Sequence, residues 1–258
     1  MSSANTQIIF IHGINAQSSG YSTRLFNAIQ EDYLKQLAGP GMDNQTLQET
    51  AARLVQKEII WADVTLDLTN RYTELEYELY GRKKGIWNIF TKKIDPLVLQ
   101  ILFYVKDKGD KESGRMSILQ RIDERFREIT AEGKDLVVVA HSLGSVIAFD
   151  YLFGFRKFRA DPDWTIKALI TLGSPVPLFI SAMGHTDSDI RLPDNLKGWY
   201  NLYDPDDGVA RRCKPFFSNI DLKDISVNTG FFPVEAHRKY WDGKNTSWEI
   251  AKILRQTI

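Results

Sequence analysis

The sequence predicts an α/β architecture built on a mostly parallel central sheet, and three observations lead there. Residues 7–11 (QIIFI) and 136–140 (LVVVA) are short apolar runs rich in β-branched side chains with no polar alternation, the pattern of strands covered on both faces. Stretches with helical apolar spacing lie between such runs, so strand and helix alternate as a parallel sheet requires. Finally, the 136–140 run passes through His141-Ser142-Leu143 directly into a helix-spaced set, Val146, Ile147, Phe149 and Tyr151. A strand that becomes a helix within about three residues turns sharply, and its tip is forced toward a strained backbone.

Composition sets the bounds. A chain of 258 residues with 43% hydrophobic content can bury one large α/β core, which matches a single domain over 1–258. Lys and Arg number 33 and Asp and Glu 33, so no broad basic surface points to nucleic acid. The first residues, MSSANTQ, are polar and carry no secretory apolar region. No apolar run approaches the roughly 20 residues that span a bilayer. The single cysteine, Cys213, rules out an internal disulfide and a multi-cysteine metal site. A cytoplasmic protein is the expectation.

In chain order, 7–11 is a strand that ends at His12-Gly13. Residues 21–38 carry Leu25, Ile29 and Leu37 at helical spacing and stop at Gly39-Pro40-Gly41, a helix terminator. A helix over 46–56 and a strand over 57–61 (KEIIW) follow. Residues 67–114 are less regular. Within them, 86–105 combines Trp87, Phe90 and the run PLVLQILFYV with flanking lysines. This reads either as a helix packed on the sheet or as a lid or interfacial element in peripheral contact with a membrane. Residues 117–130 form a helix, with Ser117 and Gln120 as a capping box and Gly133 as its stop. The helix after Ser142 extends to about Phe153. Residues 166–172 are the next strand, and 176–193 a long loop whose Leu178, Phe179, Ile180 and Met183 are apolar enough to line an acyl pocket. Strands over 199–203 (WYNLY) and 225–228 close the sheet. A terminal helix carries a second capping box, Thr246 and Glu249.

The elbow carries the chemistry. Ala140 and Gly144 stand two residues before and after Ser142, where larger side chains would collide, and the serine hydroxyl is left exposed at the tip. This is the G-x-S-x-G nucleophile elbow with Ala in the first glycine position. At these residues the chain resembles the α/β-hydrolase superfamily, in particular its lipase- and esterase-like members. The resemblance implies a three-layer α/β-hydrolase fold lacking the N-terminal hairpin, with 67–114 as an inserted lid-like or peripheral helical region. It also implies that the His12-Gly13 strand end begins the loop that supplies one oxyanion amide, at Ile14, with the Leu143 amide as the other. His12, Gly13 and Phe179 are the expected substrate-contacting residues. Ser174, in Gly173-Ser174-Pro175, is a rival nucleophile on paper, but the following proline leaves no amide for an oxyanion.

The resemblance places the acid in the loop after 199–203. That loop holds Asp204, Asp206 and Asp207, and the D-x-V form of Asp207-Gly208-Val209 favours Asp207, the other two being turn-formers. The chain has four histidines. His141 lies within the elbow, His12 on the oxyanion side, and His185 in a polar loop with Asp187 and Asp189, a weak metal set. His237 alone follows both the serine and the acid loop, giving the order Ser142, Asp207, His237 that this fold imposes. The expectation is a serine hydrolase of carboxylic esters, acyl or lipid-like, working through an acyl-enzyme without cofactor or metal. A thioesterase or acyltransferase with the same triad, and a non-catalytic small-molecule binder, are the alternatives. Oligomeric state is not legible.

Overall fold

The computed structural model describes residues 5–14, 17–38, 43–65, 101, 104, 114–133, 135–154, 164–182 and 190–258. Among the described residues the sheet has six strands: β1 (Thr6–Ile11), β2 (Leu54–Ile59), β3 (Asp135–His141), β4 (Thr165–Leu172), β5 (Trp199–Tyr203) and β6 (Leu222–Ser226). Their order is β2-β1-β3-β4-β5-β6, and every neighbouring pair is parallel. Ile11 sits beside Ala140 and His141 beside Leu172. The carboxyl ends of β1, β3 and β4 therefore lie together, where open parallel sheets place their sites.

Alternation along the buried strands divides the core into two layers. Ile8 and Phe10 of β1 and Val137 and Val139 of β3 face one side. There they meet Leu25, Phe26 and Ile29 of α1 (Thr23–Leu37) and Ile250 and Leu254 of α7 (Lys244–Thr257). Ile9 and Ile11 and Leu136 and Val138 face the other side. Their partners are Ile118, Ile122 and Phe126 of α3 (Gly114–Glu132) and Val146, Ile147 and Tyr151 of α4 (Leu143–Phe153). Helix, sheet, helix is the expected three-layer arrangement, and α4 is buried along ten successive residues. Its one acidic residue, Asp150, is ligated rather than solvated. The Arg115 guanidinium donates to both carboxylate oxygens at 2.5 and 2.6 Å and the Tyr104 hydroxyl at 2.6 Å, as a buried charge requires.

Several boundaries differ from the sequence expectation. Helix α2 (Asn44–Ala52) starts at the Asp43 cap, whose carboxylate accepts the Thr46 amide at 2.9 Å, and ends early. Strand β2 thus begins at Leu54, pairing with Thr6, rather than at Lys57. Ser117 and Thr246 lie inside α3 and α7 instead of capping them, because those helices start at Gly114 and Lys244. β6 occupies 222–226 rather than 225–228. Part of the expected loop over 176–193 is helical, as α5 (Val176–Ala182); Pro175 precedes it and its carbonyl receives the Leu178 amide at 2.9 Å, an accepted use of proline at a helix start. Apart from Ile101, Tyr104 and Gly114, the 67–114 insertion lies outside the described residues, as does His185. No helix among the described residues is long and apolar enough to cross a membrane.

Two buried histidines finish β1 and β3. A carbonyl only accepts, so His12 donates from Nδ1 to the Gly13 oxygen at 2.7 Å, and its Nε2 receives the Trp61 amide at 3.4 Å. His141 donates from Nε2 to the His237 oxygen at 2.8 Å, and its Nδ1 receives the Trp241 indole N–H at 3.3 Å. A second ring proton would point N–H at N–H in either case. Burial depresses both, His12 to about 4 and His141 to about 3, with the His237 charge as the second cause at His141. The unfolded chain protonates these rings near 6.5 while the folded chain does not. The unfolded state therefore binds more protons below that pH, and stability falls as pH drops from about 6.5 toward 4, by on the order of 1 kcal/mol per pH unit per histidine. Urea midpoints at pH 7.5, 6 and 5 should decline in step; a level midpoint across that range would contradict the assignment.

Candidate active site

Ser142 joins β3 to α4 with φ +54° and ψ −129°, the one positive φ among the described residues other than glycine. Such a backbone costs on the order of 1–3 kcal/mol and persists where its surroundings over-determine it. Here the Ser142 amide donates to the Leu172 carbonyl at 3.0 Å and its carbonyl accepts the Ser145 hydroxyl at 2.5 Å. Gly144 makes the turn sterically feasible, since a Cβ there would come within 2.2 Å of the His12 carbonyl oxygen. The same crowding sets Gly13 against the serine, 2.8 Å separating a Cβ at 13 from the Ser142 Cβ. The loop after β1, with Gly13 and Ile14, is thereby brought to the elbow, next to the start of α4 at Leu143.

His237 reaches the elbow from the sheet's far edge. It lies on a short helix, α6 (Pro233–Arg238), rather than in a loop. Its Nε2 is 2.8 Å from the Ser142 Oγ, and its Nδ1 is 3.0 and 2.9 Å from the two Asp207 carboxylate oxygens. A carboxylate accepts, so Nδ1 carries the proton and Nε2 offers its lone pair to the hydroxyl. Asp207 follows β5 and is buried. Burial works to raise its pKa, but the hydrogen bond and charge of His237 and the Val209 and Ala210 amides outweigh it, and the carboxyl ends below its ordinary range. Ser142, His237 and the aspartate that the D-x-V motif favours are thus in one continuous hydrogen-bonded line.

The neighbouring aspartates do other things. The Asp204 carboxylate accepts the Thr229 amide at 2.5 Å, the Thr229 hydroxyl at 2.8 Å, the Gly230 amide at 3.3 Å and the Asp206 amide at 2.9 Å. It ties the loop after β5 to the loop after β6, and Asp206 is an exposed turn residue. Ser174 is fully buried, and with the Ser145 proton committed to the Ser142 carbonyl its hydroxyl donates to Ser145 Oγ at 2.7 Å. His12 touches the Gly13 carbonyl from one side and stacks on Trp61 from the other, ring centroids 5.2 Å apart at 9°. Phe179, on α5, packs edge-on against Tyr104 at 6.5 Å.

Four further residues support this line. The Tyr240 hydroxyl accepts the Asp204 amide at 2.7 Å, and burial, with the Asp207 charge next, keeps the phenol un-ionised. Trp241 and His141 together hold the His237 backbone. Gly173, at φ +56°, leaves room for the pair it faces: a Cβ there would sit 3.0 Å from an Asp207 oxygen and 3.2 Å from the His237 Nδ1. The signal for Tyr240 and Trp241 lies in their place three and four residues after His237.

No family model matches the chain, and no curated protein matches it in sequence. Among solved structures it is similar to a dienelactone hydrolase from Anabaena variabilis, at 10% identity over 99% of this chain and 86% of that one, with a TM-score of 0.44. It is similar to a Bacillus cereus carboxylesterase at 12% identity, covering 98% and 89%, TM-score 0.46. The RedJ thioesterase of the Streptomyces coelicolor prodiginine pathway matches at 11% identity, covering 100% and 91%, TM-score 0.46. With its six parallel strands, flanking helix layers and strained serine between β3 and α4, the chain has an architecture of the α/β-hydrolase kind.

Proposed function

We propose that the protein is a serine hydrolase of carboxylic esters, with Ser142 as nucleophile, His237 as general base and acid, and Asp207 as the carboxylate partner. The observation that carries this is the line from Asp207 through His237 to Ser142, with both imidazole nitrogens within 3.0 Å of their partners. A serine hydroxyl is a weak nucleophile at neutral pH and needs an adjacent imidazole to take its proton. Asp207, held ionised, fixes the tautomer and stabilises the imidazolium as it forms.

The reaction runs in two halves. Ser142 Oγ adds to the substrate carbonyl carbon as its proton passes to His237 Nε2. Negative charge gathers on the carbonyl oxygen, where the Leu143 and Ile14 amides are the proposed donors. The tetrahedral species collapses, the carbon–oxygen bond to the alcohol breaks, and His237 returns the proton to the leaving alcohol. Water then adds to the acyl-serine with His237 as base, and Ser142 leaves with its proton restored. The apolar acyl portion is read from Ile14 and Phe179, which pack half-buried against the α4-side core.

Ser142→Ala should cut turnover of a short chromogenic ester by on the order of 10⁶ and abolish labelling by a fluorophosphonate, with the circular dichroism spectrum unchanged. Wild-type protein that fails to label would remove the nucleophile assignment. Asp207→Asn should lower kcat by on the order of 10⁴, because an amide no longer enforces the tautomer. Asp204→Asn should instead cost about 1–3 kcal/mol of stability by breaking the loop tie, with a smaller fall in kcat; the reverse ranking would move the acid to Asp204.

A further inference from the structure

Phe231, Phe232, Pro233 and Val234 form the turn that enters α6, and this run of four apolar residues is entirely exposed. Phe231 is 81%, Phe232 70% and Val234 74% accessible. Soluble surfaces seldom show such a run without a use for it. Pro233 rests on the acid loop, a Cβ at Gly208 falling 3.2 Å from its Cβ, and the exposed Val209 beside it extends the patch. Cations frame the patch. Arg211, Arg212 and Lys214 follow on one side and Arg238 and Lys239 on the other, five cations against three carboxylates, the exposed Asp206, the buried Asp207 and Glu235, in residues 206–217 and 231–241 of a chain with zero net charge. Arg212 pairs with Asp224 and Lys239 with Glu235, while Arg238 is exposed and makes no ion pair among the described residues.

We propose that this turn docks the protein onto an anionic lipid surface. Phe231, Phe232 and Val234 enter the boundary between headgroups and acyl chains, and Arg238 faces the headgroups. Aromatic and aliphatic side chains on a protruding turn with basic neighbours suit that interface. The area argues against a second copy of the chain: two phenylalanines and a valine offer roughly 400 Å², about half of the roughly 800 Å² per partner in a stable protein interface. Membrane contact is thereby assigned to 231–234, three to six residues before His237; the expectation for 86–105 falls almost wholly outside the described residues. A water-poor surface beside the Ser142–His237 pair would present acyl esters directly to it.

Co-flotation with phosphatidylcholine vesicles, with and without phosphatidylserine, tests this. It is run on the wild-type chain and on Ser142→Ala, so that the outcome is independent of catalysis. Both should float with the phosphatidylserine vesicles, and added salt should weaken the association. The triple variant Phe231→Ser, Phe232→Ser, Val234→Ser should lose on the order of tenfold in binding or more, and Arg238→Gln should lose about fivefold. The triple variant should hydrolyse a short soluble ester at the wild-type rate, which shows that it is folded. Wild-type protein that stays unbound on both vesicle types overturns the proposal. So does a triple variant that still floats, or a wild-type dimer in light scattering that the triple variant dissociates.

Discussion

The site depends on one close approach. The bare Cα of Gly144 lies against the end of β1, where a Cβ would overlap the His12 carbonyl oxygen at 2.2 Å. That contact lets α4 start immediately beyond β3, and Ser142 takes up the turn at φ +54°. A helix with an exposed side could relax the strain by shifting outward. α4 cannot, because it is buried on nearly every residue and clamped at Asp150 by Arg115 and Tyr104. Core packing thus holds the serine in a conformation that an isolated turn would leave.

A second constraint separates two carboxylates three residues apart. Asp204 spends its oxygens on the amides of Asp206, Thr229 and Gly230 and on the Thr229 hydroxyl, and so fixes the loop that leads to α6. Asp207 receives the Val209 and Ala210 amides on Oδ1 and still faces His237 with both oxygens. One aspartate builds the loop and the other faces the imidazole. A loop with only one of them would lack either its geometry or its charge.

This division shows how far the sequence is legible. Unbroken β-branched runs identified β1 and β3, and the collapse from strand to helix period located the elbow, because both signals are local. The three aspartates after β5 could be ranked only by motif, since what tells them apart is a bond to Thr229 or to His237, 25 or 30 residues away. The capping boxes misled for a related reason. Ser117 and Thr246 have the right spacing, but α3 and α7 begin three and two residues earlier, where packing on the sheet rather than a capping side chain sets the start. The helix at 176–182 was hidden by its prolines at 175 and 177, which read as breakers and serve as starters. His141 looked like an elbow filler, for nothing in the chain near it points to the His237 carbonyl 96 residues on.

Three imidazoles converge here, and their hydrogen bonds make them unequal. His12 and His141 each commit one nitrogen as donor to a carbonyl and the other as acceptor from an indole or an amide. A proton added to either would face another N–H. His237 differs in one bond: its Nε2 faces a hydroxyl oxygen, a group that accepts as readily as it donates. A proton arriving there keeps a partner, and the charge it brings meets the Asp207 carboxylate through Nδ1. The two neutral rings add no competing positive charge beside it, and His141 fixes its backbone. One ring nitrogen among the three histidines thus faces a hydroxyl, and that hydroxyl belongs to the strained serine.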